Sequence, residues 1–511
     1  MVRTRARTRP EVARPRPLRC LALLVAMTLA GTVHAQTFRI QPTLGTQLTW
    51  TDNVDLNDAD PQQDWILEVS PGVSVVRESG RFSGGLDLSL RSLSHVERTE
   101  DNTTFIALDG RGEFEAIEDA LFVDFDASVS RDNQSAFVGR LPGDGLDVDE
   151  NNETRVFSLT PRFTFHFGAG GQGEVLYRER WLDGGSGGLD RQRSQMASVG
   201  LADPSAFRLF GWGVDFSRTQ TTYDSQSARD LEQDDARATL FVNLDPQFRL
   251  RAIAGYESND YAIEGGDDER ILGAGFDWYP TERTALSATG EKRIFGNGYD
   301  VSLRHRMARS SLSFTARRDI SSLADDIAGG YVIDPLYQVL YQALAVERPE
   351  LSALERERIA LRAYRSLGGA SIRSNAYYLL RTVGASWSLV GVRNTLTVGL
   401  QRSERDQLDA LSGFAVGDEL NTYESVSTRS FNVSLSHRLS GLATLNASYL
   451  RSRSSGSGDT NDTANRSSAT LGVSREIGVR TSGTLMYRHT RSEGSDDYTE
   501  NAVTATLGMR F

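Results

Sequence analysis

Ionisable side chains are the groups in this 511-residue sequence whose chemistry has to be explained first. Beyond residue 36 there are five histidines, His95, His166, His305, His437 and His489, each isolated in sequence. None has the spacing of a helical zinc site or sits in the elbow that presents a nucleophilic serine. A triad assembled across strands is the one hydrolytic arrangement they leave open. The acidic run Asp147–Asn152 resembles a hard-cation loop, but Asn152 stands where the turn glycine belongs and no acidic residue closes the loop. A solvated loop explains it as well. Gly184–Gly188 follows a strand pattern but opens no helix, so it reads as a linker rather than a phosphate cradle. The sole cysteine, Cys20, precedes an apolar run near the N-terminus, which leaves the rest of the chain without a thiolate site or disulfide. No catalytic set, metal site or cofactor site emerges, and the chain is not expected to be an enzyme.

What remains is a large set of arginines and carboxylates on one parity of alternating segments. The arginines are Arg91, Arg111, Arg162, Arg208, Arg249, Arg251, Arg304, Arg306, Arg317, Arg438 and Arg488. The acids are Asp87, Asp109, Glu113, Asp124, Asp126, Asp215, Glu257 and Glu291. Two chemistries fit. Arginines lining a passage favour anionic solutes such as acidic polysaccharide. Opposite charges on neighbouring strands also pair with each other and need no solute.

The elements that position these residues are strands. In the last twelve residues Val503, Ala505, Leu507, Met509 and Phe511 alternate with Ala502, Thr504, Thr506, Gly508 and Arg510. The same period of two recurs back to Phe38 and gives about 22 strands. Short connections alternate with long polar ones, as in a transmembrane barrel with tight turns on one rim and loops on the other. The expected fold is all-β, a transmembrane antiparallel up-and-down β-barrel closed by pairing of the last strand with the first. The apolar parity would meet lipid and the polar parity would line the lumen. Phe122, Phe241 and Ile253 depart from this by taking the lumen parity, and His305, His437 and His489 by taking the lipid parity. Aromatic residues at strand ends, among them Trp50, Trp65, Trp181, Trp278, Tyr279 and Phe511, suit interfacial girdles. Leu507, Met509 and Phe511 suit a signal for the barrel assembly machinery.

Seven arginines precede the apolar run Leu21–Ala30, and Val33-His34-Ala35 follows it. This is the layout of a secretory signal cleaved near Ala35, and the run is too short for a membrane anchor. The net charge is −12; residues 1–35 carry seven Arg and one Glu, so the mature chain lies near −18 and is a poor partner for nucleic acid. A mean hydropathy of −0.38 argues against a bundle of membrane helices. The expected location is the bacterial outer membrane, with membrane lipid as a partner. A strand begins within a few residues of Gln36, so no N-terminal plug domain is expected.

One segment, 320–369, breaks the strand period. Asp334-Pro335 starts a helix, and Leu336, Val339, Leu340 and Leu344 follow at helical spacing. Ser352 and Glu355 form a capping box, Leu354 and Leu361 share a stripe, and Gly368-Gly369 ends it. Two short helices in a loop must cover something apolar. They are expected either to cap the loops or to form a gate, with these six leucine and valine residues at its centre.

The run Asn375–Asp406 behind this helical pair, and Trp50–Asp58 after the first strand, resemble the outer-membrane β-barrel proteins associated with the PEP-CTERM/exosortase system. The resemblance implies an outer-membrane barrel of Gram-negative bacteria that make exopolysaccharide, with exopolysaccharide or its export proteins as partners. Three functions stay open: a channel or conduit linked to exopolysaccharide export, a structural or docking barrel with a blocked lumen, and an outer-membrane hydrolase.

Overall fold

The computed structural model describes residues 38–511 apart from 79, 132–134, 141–145, 147–152, 185–189, 225–229, 261–266, 329, 350, 368–371, 373, 409–417 and 459–460. The signal region, most of Gly184–Gly188, the Asp147–Asn152 loop and Gly368-Gly369 lie outside the described residues.

Alternation of apolar and small polar residues produces 22 strands between Arg39 and Phe511. They are β1 Arg39–Thr51, β2 Asp64–Arg77, β3 Phe82–His95, β4 Thr103–Ile117, β5 Leu121–Arg131 and β6 Glu153–Phe167. Next come β7 Gly171–Asp183, β8 Gln192–Phe207, β9 Phe210–Tyr223, β10 Leu231–Asp245, β11 Phe248–Asn259 and β12 Asp267–Thr281. Then follow β13 Thr284–Arg293, β14 Gly296–Arg306, β15 Ser310–Ser321, β16 Tyr378–Val390, β17 Asn394–Gln407 and β18 Ser425–Arg438. The ring ends with β19 Ala443–Ser457, β20 Thr463–Gly478, β21 Thr481–Gly494 and β22 Tyr498–Arg510. Each pairs antiparallel with its sequence neighbours, and β1 pairs with β22 from Thr43↔Arg510 to Thr51↔Ala502. Closure leaves no open sheet edge.

The two faces separate as the parity requires. Ile40, Leu67, Leu90, Ile106, Phe157, Val199, Leu240, Leu400, Leu471, Leu485 and Val503 are exposed on the outside. No described helix is long and apolar enough to cross a membrane, whereas this outer band of apolar residues on every side suits hydrocarbon. Phe122, Phe241 and Ile253 do face inward, where Phe122 and Phe241 lie under Arg162 and Arg249.

Turns of two to four residues join the strands on the rim that also carries both barrel ends. The long connections all lie on the other rim. The alternation is not strict: β13 and β14 meet on the long-loop rim through Ile294-Phe295 alone, with Ile294 N donating to the Glu257 carboxylate at 2.5 Å. Nor do all the expected boundaries hold. The polar run 454–466, whose composition reads as a loop, is mostly strand, because backbone pairing of β19 with β20 continues to Ser455↔Thr463. Residues 203–206, Asp-Pro-Ser-Ala, have the composition of a turn, but the turn lies at Arg208-Leu209, and β8 continues to Phe207 across a register shift.

Among the described residues, three α-helices lie between β15 and β16: α1 Leu323–Ala328, α2 Pro335–Glu347 and α3 Ala353–Ser366. The expected starts of α2 and α3 are correct. Asp334 accepts from Leu336 N, and Ser352 and Glu355 complete the capping box. Such a cap contributes about 1 kcal/mol. The sequence reading missed α1.

Candidate functional site: a partitioned lumen

The helical insertion stands inside the barrel. It leaves from the long-loop rim, but its tip reaches the short-turn rim. There Arg438 meets Glu347 at 3.5 Å, Thr395 donates to Glu347 at 3.1 Å, Ser352 donates to Glu78 at 2.5 Å and Arg39 pairs with Glu355 at 2.6 Å. The helix α2 rests on β15, β16 and β17. Gly384 of β16 permits this approach, since a Cβ there would stand 3.0 Å from Pro335 Cγ. From the tip, α3 runs back along the opposite wall. Arg358 pairs with Asp87 and donates to Ser74, Glu357 pairs with Arg111, and Arg365 pairs with Asp109 at 3.1 Å. The hairpin therefore spans the lumen from β15–β17 to β2–β4 and divides it.

Tyr337, Ala360 and Leu361 bury one another between the helices, with Leu340, Tyr341, Leu344 and Tyr364 around them. Of the six residues expected at a gate, Leu340, Leu344 and Leu361 thus join α2 to α3. Leu336 and Val339 are buried, Val339 beside Ser311 and Ser313 of β15, and Leu354 packs near Gly85 of β3. They hold the partition together and do not form an apolar ring around an opening. Asp334 sits at the centre, accepting from Leu336 N, Gln401 and the Tyr364 hydroxyl. Burial pushes its carboxyl up to about 6 against those hydrogen bonds.

Above the hairpin, α1 crosses to the far wall. Leu323 and Ala324 pack on Val156 and Leu182 of β6 and β7. Adjacent carboxylates then hold opposite sides of the ring: Asp325 pairs with Arg180 of β7 at 2.6 Å, and Asp326 pairs with Arg405 of β17 at 3.3 Å and accepts from Tyr378. A cluster of Phe137, Ile372, Tyr378, Leu420, Tyr423, Val426 and Ala464 ties the loops together, and Val54, Ile66, Leu93, Phe105 and Leu146 form a second. Inward-facing wall residues and loop residues from four connections thus form a lid at the long-loop rim.

Beneath it a cavity of about 1310 Å³ extends from Arg77, Glu78 and Ser352 at the short-turn rim to Asp325, Asp326 and Arg405. The charged residues expected inside are mostly there. Arg91 pairs with Glu68 at 2.7 Å, Arg111 with Asp126 at 2.6 Å, Arg162 with Glu113 at 2.9 Å and Asp124 at 3.3 Å, Arg251 with Asp277 at 3.2 Å, and Arg488 with Glu500 at 3.0 Å. Glu257 binds Arg293, Glu291 lies near Arg237, and Arg317 pairs with Asp319. Arg249 donates to Asn243, Asp215 is exposed in the lumen, and Arg304 borders the cavity. Arg306 and Arg438 end their strands at the short-turn rim. Arg208 does not line the lumen: it lies exposed in the β8–β9 turn, because the turn falls later than the sequence pattern suggested. Leu507, Met509 and Phe511 are on the outward parity of the closing strand.

The other half of the wall is different and was missed. From β16 through β22 to β1, most inward positions of the middle stretch are Ser, Thr, Asn, Gln or Gly, interrupted by Leu450, Met486 and Ala502 and by Arg488, which is paired with Glu500. Their hydroxyls bond across strands, as in Ser448–Thr470 at 2.5 Å, Thr484–Ser474 at 3.1 Å and Thr49–Thr504 at 3.1 Å. The signal was present in runs such as 428–436, where Thr and Ser repeat on one parity without a charge.

Among the described histidines, only His95 touches a carboxylate, Asp64 at 3.0 Å. Its Nε2 is buried without a partner, so no hydroxyl is placed for activation. No group of three metal-ligating side chains occurs among the described residues.

No family model and no curated relative matches the chain. Among solved structures, the siderophore receptor PirA from Acinetobacter baumannii is similar at 9% identity over 94% of this chain and 81% of that one, with a TM-score of 0.49. The FrpB iron transporter from Neisseria meningitidis is similar at 10% identity over 94% and 83%, with a TM-score of 0.46. Pseudomonas aeruginosa OccK2 in complex with glucuronate is similar at 10% over 93% and 98%, with a TM-score of 0.34. These likenesses concern the path of the chain and say nothing of cargo.

Proposed function

We propose that the protein is an outer-membrane conduit closed by its own surface loop. The observation that carries this reading is the α2–α3 hairpin, which enters from the long-loop rim and is held to both walls by ion pairs and hydrogen bonds. A permanent filler would be expected to bury apolar side chains on all sides. Leu336, Val339 and Leu354 add apolar contact with the wall, but α3 meets it mainly through Glu357, Arg358 and Arg365, a contact that opens without exposing a large apolar surface. Ion pairs between half-exposed groups are worth about 0–1 kcal/mol each and break readily in water.

The solute that suits the hydroxyl wall is polyhydroxylated, because Ser, Thr and Asn exchange hydrogen bonds with sugar hydroxyls as they do with water. An exopolysaccharide export role, with its export proteins as partners, is in keeping with this chemistry and with the resemblance of Trp50–Asp58 and Asn375–Asp406 to PEP-CTERM-associated barrels. Leu507, Met509 and Phe511 would then serve recognition by the assembly machinery. The docking alternative draws on the lid, whose Tyr378, Ile372 and Leu420 are almost wholly buried.

The test is conductance in a planar bilayer, comparing the full chain with a chain in which residues 334–366 are replaced by a short Gly-Ser linker. Larger and longer openings after deletion support the gated conduit. Silence from both proteins overturns it in favour of the docking barrel.

A further inference from the structure

The outer face of the barrel carries a second feature that conduction does not use. On β17, β18 and β19, Arg402, Arg429 and Arg453 stand directly opposite one another with outward side chains. One row nearer the short-turn rim, Leu400, Phe431 and Arg451 do the same. Like charges directly opposite repel, so such a row needs an anion. Elsewhere on the outside that anion comes from the chain: Arg155 is bound by Glu153 at 2.5 Å, Arg193 donates to Glu179 at 2.5 Å, and Arg218 meets Asp234 at 3.5 Å. Here Glu404 serves Arg402 at 3.1 Å and Arg381 at 3.5 Å. Arg429, Arg451 and Arg453 are exposed and have no ion pair or hydrogen bond among the described residues.

The patch is the charged end of a groove of about 500 Å³ whose other end is Phe314, Val383, Leu400 and Phe431. That apolar end is continuous with the band that meets hydrocarbon; Arg429 and Arg453 lie toward the long-loop ends of their strands, and Arg451 lies nearer the middle of β19. Arg429 stands about 4.8 Å from Arg453 across the β18–β19 pair, and Arg451 lies two residues, about 7 Å, from Arg453 along β19, so the three cations form one compact cluster that suits a headgroup with more than one phosphate. We propose that this face binds a phosphorylated, multiply acylated glycolipid of the surface leaflet, with phosphates on Arg429, Arg451 and Arg453 and an acyl chain along the Phe314–Phe431 groove. The assignment rests on the outer-membrane placement above but not on conduction.

The test is native mass spectrometry of the full-length, delipidated barrel in neutral detergent, mixed in turn with bis-phosphorylated lipid A, its dephosphorylated form and phosphatidylglycerol. The intact barrel should retain the bis-phosphorylated lipid. Removing the phosphates, or combining Arg429→Ser, Arg451→Ser and Arg453→Ser, should lower retention about a hundredfold. Equal retention of the dephosphorylated lipid, equal retention of phosphatidylglycerol, or full retention by the triple variant overturns the assignment. So does displacement by a soluble acidic polysaccharide at the same concentration, which would make the patch a polymer site. Should the triple variant fail to fold, the comparison of lipids on the unchanged barrel decides. Binding is read whether or not the lumen conducts, so either proposal can fail alone.

Discussion

The two halves of the inner wall obey the same period of two but solve different problems. From β2 to β15 the inward positions are rich in arginines and carboxylates, many engaged with each other or with α1 and α3. From β16 round to β1 they are mostly hydroxyls and amides, several bonded across neighbouring strands. A paired charge fixes a side chain in direction and holds a partition in place. A hydroxyl can turn, donate or accept, and leaves the surface neutral. The charged half grips α1 and α3, α2 rests on β15–β17, and in the proposed conduit the hydroxyl-rich wall beyond them would face the solute.

The largest expected effect comes from the ion pair that ties α1 to β17. Arg405 is almost wholly buried, beside Asp326 and the Tyr378 ring. Arg405→Ala leaves the Asp326 carboxylate buried without its cation, and breaking such a pair costs about 3–5 kcal/mol. Proteolysis of residues 322–377 in the folded barrel should accelerate by roughly two orders of magnitude or more. An unchanged cleavage rate would mean that the lid is held from the charged side alone.

The next effect is pH-dependent. Glu419 begins a helical turn, Glu419–Thr422, and accepts from Ala136 N at 2.9 Å, joining two loops of the lid. Burial pushes its carboxyl from 4.5 up to about 7, with Asp418 adding to the rise and Arg405 opposing it. The closed lid therefore favours the protonated acid. Its contribution is complete below about 4.5 and is lost as pH rises through about 7, an effect of at most about 3 kcal/mol. Openings should be more frequent at about pH 8 than at about pH 5. Glu419→Gln should flatten most of this, leaving the smaller dependence of Asp334 near its value of about 6. More openings at low pH would contradict the sign.

Much of this was legible in the sequence, for a definite reason. A barrel imposes one rule on every strand, so 22 repetitions of a weak signal identify it, and Asp334-Pro335 and Ser352–Glu355 marked two helices through local hydrogen bonds. The turn at Arg208 was misplaced because Pro204 suggests a break, yet β8 accommodates it at a register shift. The helix α1 was missed because it is only six residues long, although Ser322 and Asp325 cap it locally; its other partners, Arg180 and Arg405, are distant in sequence. Which charges meet across the lumen depends on which strands face each other, and that follows from closure, not from neighbouring residues. The outward arginines on β17–β19 were readable as charges on the lipid parity, but their alignment depends on register.

A subtler effect distinguishes the two compartments. Ser448→Asp places a charge in the neutral belt, and Asp126→Asn removes one from the charged wall, where it faces Arg111. Both keep the side chain close to its original size. If solute passes along the hydroxyl wall, Ser448→Asp should shift the reversal potential in a salt gradient toward cations, and Asp126→Asn should shift it much less. The reverse order would place the path on the charged side and favour an acidic solute.

The smallest expected effect is at α3. Arg365 and Asp109 are each more than a third exposed, so their pair is screened and worth about 0–1 kcal/mol. Arg358 is more deeply set, and burial together with Arg362, Arg39 and Arg510 pushes it down to about 10, so its contact with Asp87 offsets a real cost. Arg365→Ala alone should leave the frequency of openings nearly unchanged, whereas Arg358→Ala should raise it measurably. In the double variant the loss should exceed the sum of the two, because with Glu357–Arg111 as the remaining ion pair between α3 and β3–β4 the helix is free to tilt away. Simple additivity in the double-mutant cycle would show that the wall restrains α3 residue by residue, with no cooperative release of the partition.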